Sequence, residues 1–327
     1  MQPSRPTVAL AAFLFTASAL AADEPRVLTP TAELDPGPAR ENSGVVASRR
    51  HEDTFWMIND SGDAPRVYAV RRDGSVHGAE RGQAAYIAEA ESATAATDGY
   101  EVPGVLVGGA INVDWEDIAL DAAGRLLIPD FGNNSNARRD LVIYVLDEPR
   151  PEAGRTTWRQ KWHFRYPEQT AFPAPADDFD YDAEALFTVG ETAYVLTKHR
   201  SDTLTSLYRL TDPQPHVVND AELLEVFDIG GRVTAADASA DGLRLLVLTY
   251  DAVWVFERAD LEAPFFSGRA RRLAIEAEQV EAACFVDRAA EQILIADEAA
   301  AVFYELALDE LEPLSAAEFA RLREVTR

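Results

Sequence analysis

Short runs of β-branched and aromatic residues, broken by turn residues roughly every ten positions, set the pattern of this chain. Trp56-Met57-Ile58 runs into Asn59-Asp60-Ser61-Gly62-Asp63, and Val67-Tyr68-Ala69-Val70 into Arg72-Asp73-Gly74. Leu126-Leu127-Ile128 stops at Asp130-Phe131-Gly132-Asn133-Asn134, and Val142-Ile143-Tyr144-Val145 follows. The cadence returns at 193–197, 206–210, 245–249, 253–257, 292–296 and 302–306. Helical spacing of apolar residues is scarce and predicts a helix only in the tail, from Ala316 to Val325.

Overlaid, these runs form a repeating unit. It opens with an acidic residue and a small-apolar strand, at Glu41, Glu116, Glu184, Asp237 and Glu281. A second strand ends at Asp60, Asp130, Lys198, Tyr250 and Asp297, 13 to 19 residues later. A third carries an aromatic: Tyr68, Tyr144, Tyr208, Trp254 or Tyr304. A fourth is placed at 162–166, 223–228 and 271–275. Repeated four-stranded units predict an all-β fold, a β-propeller of five antiparallel blades. The Ala-, Glu- and Thr-rich stretch 78–109 is either an inserted loop or a degenerate blade, the latter giving six. Closure of a five-bladed ring requires an outer strand beside the last blade, and Arg26-Val27-Leu28 is the expected donor.

In a propeller the start of each inner strand and the end of the second strand share one face of the central channel. Glu41, Glu116, Glu184, Asp237 and Glu281 are therefore expected around one mouth as ligands of a cation. Asp60, Asp130, Lys198, His199, Arg200, Tyr250, Asp297 and Glu298 are expected beside them as ligand-binding residues. Converging carboxylates repel unless a cation or protons intervene, and an all-oxygen set selects a hard ion, expected to be Ca²⁺. The competing reading makes these carboxylates structural, bonded to backbone N–H groups of the next blade. The turns 59–63 and 130–134 are either calcium loops or ordinary Asx turns. Lys198-His199-Arg200 interrupts the acidic pattern, either to grip an anion or to neutralise the ring.

Composition sharpens the setting. The 327 residues are 47% hydrophobic, enough for a packed core. The net charge is -26, from 30 basic and 56 acidic residues, and no basic face for nucleic acid is present. Residues 1–21 read as an export signal: Arg5, an apolar run from Val8 to Leu20, and Ala19-Leu20-Ala21 before the cleavage point. The run is too short to span a bilayer, which takes about 20 residues. The expectation is a periplasmic or secreted protein without membrane insertion, residues 22–327 forming one propeller domain. Cys284, the single cysteine, lies in an apolar run and is expected in the core. HExxH, GxSxG and phosphate-loop motifs are absent.

Asn59-Asp60-Ser61-Gly62-Asp63, Asp114-Trp115-Glu116-Asp117 and Asp130-x-Gly132-x-Asn134 together resemble a group of exported bacterial β-propeller proteins over about residues 40–310. Val280-Glu281-Ala282 with Ile295-Ala296-Asp297-Glu298 resembles one blade of the calcium-dependent β-propeller phytases, in which such acidic residues bind calcium and phosphate. That blade carries Gly where this chain has Ala282. The resemblance implies calcium and ligand roles for Glu281, Asp297 and Glu298. Three functions follow: a calcium-binding propeller recognising a small-molecule anion or a protein partner, a metal-dependent hydrolase of phosphoesters or lactones, or a structural scaffold.

Overall fold

Consecutive residues of a strand point to opposite faces of its sheet, and here both faces are buried. Val45 and Val46 pack in two different apolar clusters, as do Ala235 and Ala236. That is why the strands read as continuous apolar runs instead of alternating ones. The computed structural model describes residues 24–35, 41–78 and 104–323. The leader 1–21 and most of the 78–109 stretch lie outside them.

Two short strands come first, β1 (Arg26–Val27) and β2 (Ala32–Glu33). Blade one is β3 (Asn42–Ala47), β4 (Phe55–Asn59), β5 (Arg66–Val70) and β6 (Val105–Gly108). Blade two is β7 (Ala119–Leu120), β8 (Arg125–Asp130) and β9 (Val142–Asp147). The chain then adds β10 (Arg155–Thr157) beside β6 and completes the blade with β11 (Gln160–Arg165). Blade three is β12 (Asp182–Val189), β13 (Thr192–Lys198) and β14 (Leu204–Leu210). A detour, β15 (Val218–Asp220), pairs with β11 before β16 (Glu222–Asp228) closes that blade. Blade four is β17 (Val233–Ala238), β18 (Arg244–Thr249), β19 (Ala252–Glu257) and β20 (Arg269–Glu276). Blade five is β21 (Val280–Phe285), β22 (Gln292–Asp297) and β23 (Val302–Ala307). The strand pairings therefore give five blades among the described residues.

The ring closes differently from expectation. Ala32 and Glu33 of β2, not Arg26-Val27-Leu28, form the outer strand of blade five, pairing with Phe303 and Val302. Arg26 and Val27 instead pair in parallel with Ile275 and Glu276 of blade four. The N-terminal segment thus stitches two adjacent blades. Five apolar clusters fill the five blade–blade interfaces. All five third-strand aromatics are buried there, as is Cys284 between blades five and one. After β24 (Glu312–Pro313), the expected tail helix appears as α1 (Ala316–Arg323). It seats Phe319 against Phe227 and Phe256.

Blade two is the irregular one. Its chain swings inward before β7, and Asp117 takes a left-handed backbone at φ 59°. The Asp117 carboxylate accepts N–H bonds from Leu186 of blade three (2.8 Å), Ala236 of blade four (3.2 Å) and its neighbour Ile118 (2.8 Å). Its own N–H reaches the Ser43 carbonyl of blade one at 3.0 Å. One aspartate therefore ties four blades at the channel axis. The approach is so close that a Cβ on Gly44 would stand 2.6 Å from the Asp117 backbone.

Candidate functional site

Register identifies which residues share the channel mouth. Asn42, Trp115, Ala183, Val233 and Val280 pair with Asn59, Asp130, Thr197, Thr249 and Asp297. The register breaks immediately afterwards in blades one, three, four and five, leaving Ser43, Glu184, Thr234 and Glu281 as the extra, bulged residue. Glu116 holds the same place in blade two. The mouth ring is thus Ser43, Glu116, Glu184, Thr234 and Glu281. The residues following the second-strand partners are Asp60, Phe131, Lys198, Tyr250 and Glu298.

Glu184 and Lys198 form a buried ion pair at 2.7 Å. Lys198 Nζ also lies 3.4 Å from the Tyr250 hydroxyl, which donates to Glu281 Oε1 at 2.8 Å. Gln279 donates to Glu281 at 3.0 Å and also to Glu298. On the other side of Lys198, one oxygen from each of Asp60, Asp114 and Glu116 converges within 4.8 Å of the others. Asp60 and Asp114 are half-buried and Glu116 is buried.

This crowding changes the acid–base chemistry. Burial, then the charges of Glu184, Asp60 and Asp114, push Glu116 well above the carboxylate range. Burial and the Asp60 charge raise Asp114 to about 7. Burial and Glu281 raise Glu298 to about 8, while burial and Asp182 raise Glu184. Burial works against a charge on Lys198, but Glu184 and Tyr250 outweigh it, so its pKa is raised and it stays cationic. Each carboxylate here would gain from a nearby cation.

Several expected site residues stand elsewhere. Asp130 accepts the N–H groups of Val113 (3.3 Å) and Asp114 (3.2 Å) and pairs with Arg138 at 2.8 Å. Asp297 does the same work in blade five, accepting from Glu278 (3.0 Å), Gln279 (3.2 Å) and Ala300 (2.9 Å). Both are backbone struts, one position short of the mouth residues Phe131 and Glu298. Asp237 lies three residues beyond Thr234, toward the other end of the channel, where it accepts from Phe285 N–H at 2.9 Å. Glu41 precedes Ser43, with its side chain exposed, and its carbonyl accepts from Asp60 N–H at 2.8 Å. Its charge still reaches Glu298.

His199 is fully buried and does not face the mouth. Its Nδ1 meets Asp202 at 2.9 Å and Asp180 at 3.4 Å, and its Nε2 meets Ser206 at 3.0 Å. The order Ser–His–Asp has the look of a hydrolytic triad, but Ser206 is only 2% exposed, and Asp180, His199 and the exposed Asp202 instead bring one atom each within 4.8 Å of the others. Arg200 clamps Asp182 at 2.6 Å and holds Asn134, with Glu184 at 3.8 Å. In the 59–63 and 130–134 turns several side-chain oxygens are already engaged by protein donors. Asp63 accepts from Asn59 and Tyr68, both at 2.8 Å, and Asn133 accepts from Ala137 and Arg138, both at 2.9 Å. Asp114, Asp182, Gln279 and Thr234 were not singled out from sequence as site residues. Only Asp114 had a signal, its place beside Glu116 in Asp114-Trp115-Glu116-Asp117.

No protein-family model matches the chain, and no curated protein matches it significantly. Solved structures do match at low identity. The outer coat vertex of COPII on membranes aligns at TM-score 0.43 and 10% identity, over 82% of this chain and 58% of that one. The β-propeller domain of Cps50 (Swd1) from Myceliophteria thermophila aligns at 0.36 and 12%, over 83% and 65%. A protein of Desulfotomaculum acetoxidans described as functionally unknown aligns at 0.40 and 10%, over 84% and 70%. The chain thus spans less than two thirds of the length of the first structures it matches. Among the described residues no helix is long and apolar enough to cross a membrane.

Proposed function

We propose that this chain is an exported calcium-binding propeller that takes a small anionic ligand at its acidic channel mouth. The observation that carries the reading is the convergence of Asp60, Asp114 and Glu116 within 4.8 Å. Three carboxylates at that separation suit a hard cation, and all-oxygen donors with two half-buried members suit the flexible coordination of Ca²⁺. Asp60 and Asp114 leave the site open to solvent, so an anion can complete the coordination of the ion. Lys198 and Arg200, already cationic beside Glu184, supply the positive charge that favours an anion over a neutral ligand. Export by the leader 1–21 would deliver the protein to a periplasmic or extracellular space.

The half-buried positions of Asp60 and Asp114 also favour a second reading, a metal-dependent hydrolase of phosphoesters or lactones. Bound calcium would there polarise the substrate and its attacking water. One experiment separates these readings from a structural scaffold. Protein dialysed against a chelator is melted with and without Ca²⁺, then assayed against generic phosphoester and lactone substrates. Binding requires a calcium-dependent rise in Tm, and hydrolysis requires calcium-dependent turnover as well. An unchanged Tm, with no metal in the purified protein, leaves the scaffold.

A further inference from the structure

The opposite end of the channel holds a second feature that the acidic mouth does not use. The inner strands of blades one, four and five end around a cavity of about 190 Å³, the room of about six waters at liquid density. Its lining surface is mostly polar, with Val46, Ala238 and Phe285 among its apolar members, and its charged members are Asp237, Asp287, Arg49 and Arg288.

The charged groups are fixed in part and unspent in part. Asp237 is held by two backbone donors, Ala238 N–H to Oδ1 at 2.8 Å and Phe285 N–H to Oδ2 at 2.9 Å. Each oxygen keeps a further lone pair. Arg49 uses one donor on the Asp121 carbonyl at 3.1 Å and keeps the rest of its fork. Arg288 makes no hydrogen bond or ion pair among the described residues. No ion pair closes between Asp237 and either arginine, although all three line one cavity.

An anion alone would meet Asp237 and Asp287, the latter partly spent on the Ala290 N–H at 2.9 Å, and a cation alone would meet two guanidinium groups. A molecule carrying both charges on adjacent carbons satisfies both halves. We propose that this cavity binds a small zwitterion of the α-amino acid class, its ammonium on Asp237 and its carboxylate on Arg49 and Arg288. Val46 and Phe285 would receive a short aliphatic side chain. The site is independent of the calcium mouth, which lies at the other end of the inner strands.

The test is calorimetric titration of the full mature chain, in chelator, with glycine, alanine and valine at concentrations up to the order of 10 mM. Propionate and ethylamine, each lacking one charge, serve as the comparison. The expected result is binding of alanine or valine, weakened about tenfold or more for either single-charge analogue. Arg288→Ala, a change at an exposed position, should weaken alanine binding by a similar factor while leaving the melting temperature in place. Equal binding of propionate, no binding of any zwitterion, or unaltered affinity in Arg288→Ala would each overturn the assignment. Calcium-dependent melting of the same samples reads the mouth separately, so failure of one site is distinguishable from failure of the other.

Discussion

Lys198 faces Glu184 at 2.7 Å at the position where blades one and five place Asp60 and Glu298. The substitution of one cation into a ring of acids divides the mouth. Glu184 has its counter-ion in direct contact, whereas among the described residues Asp60, Asp114 and Glu116 have no cation at ion-pair distance and feel Lys198 and Arg138 only from further off.

That division makes Lys198→Met informative. Breaking a buried ion pair by removing one partner costs about 3–5 kcal/mol, because the other charge is stranded. The variant should therefore unfold at lower denaturant in chelator. Calcium should restore more stability to it than to the wild type, since the ion then serves Glu184 as well. Equal calcium-induced shifts in both proteins, measured by urea unfolding, would mean that the ion does not reach Glu184, and no shift in either would count against a cation at this mouth.

Asp60 and Asp130 were read from sequence as members of one class, and the structure separates them. Asp60→Asn should reduce the calcium-dependent gain in stability, which for a site filled at about 100 times its Kd is roughly 2.7 kcal/mol. Asp130→Asn should instead lower stability by about 1–3 kcal/mol in chelator, since its carboxylate holds two N–H groups and Arg138. Its calcium increment should remain at the wild-type value. Melting curves of both variants with and without calcium decide this; an abolished increment in Asp130→Asn with Asp60→Asn unaffected would reverse the assignment.

Five blades were legible because each repeats the same apolar strands and a third-strand aromatic buried between neighbours, as Tyr68 and Trp254 are. The mouth was legible only to within one to three residues. A bulge adds one residue to one strand of a pair, and nothing in Glu281-Ala282-Ala283 or Asp237-Ala238-Ser239 marks where it falls. That offset turned Asp297 from ligand into strut. In blade four the equivalent of Glu281 is Thr234, which is not acidic, so the nearest carboxylate, Asp237, falls three residues past it. The closing strand was misplaced for a related reason: Arg26-Val27 and Ala32-Glu33 are both short and neither carries a distinctive pattern. Asp117 at the axis depends on contacts from four blades, which no local pattern encodes.

Gly44 tests that axial tie. A methyl group at this position would press on the Asp117 backbone at 2.6 Å, and overpacking of this kind costs typically about 1–3 kcal/mol. Gly44→Ala should lower the unfolding midpoint accordingly. Because the backbone it displaces leads into Glu116, calcium affinity should fall too. An alanine variant as stable as the wild type would mean that the axial segment sits further from blade one than 2.6 Å implies.

Asp237 gives a pH dependence whose sign is fixed by its surroundings. Burial raises its carboxyl from 3.8 to about 6, against the opposing bonds from Phe285 and Ala238 and the charge of Arg49. The folded state therefore holds this proton more tightly than the unfolded chain does. The resulting stability is fully present below about pH 3.8 and is lost as the pH rises through about 6. A shift of that size corresponds to about 3 kcal/mol between the two limits. Asp237→Asn cannot titrate, and its single carbonyl oxygen serves only one of the two backbone donors. The variant should be less stable than wild type at pH 4, with the gap narrowing as the pH approaches 7. Urea unfolding of both proteins at matched pH values in chelator isolates the effect, because the acidic mouth contributes equally to each. A gap that stays constant from pH 4 to 7 would show that Asp237 ionises in the folded protein as it does in the unfolded chain.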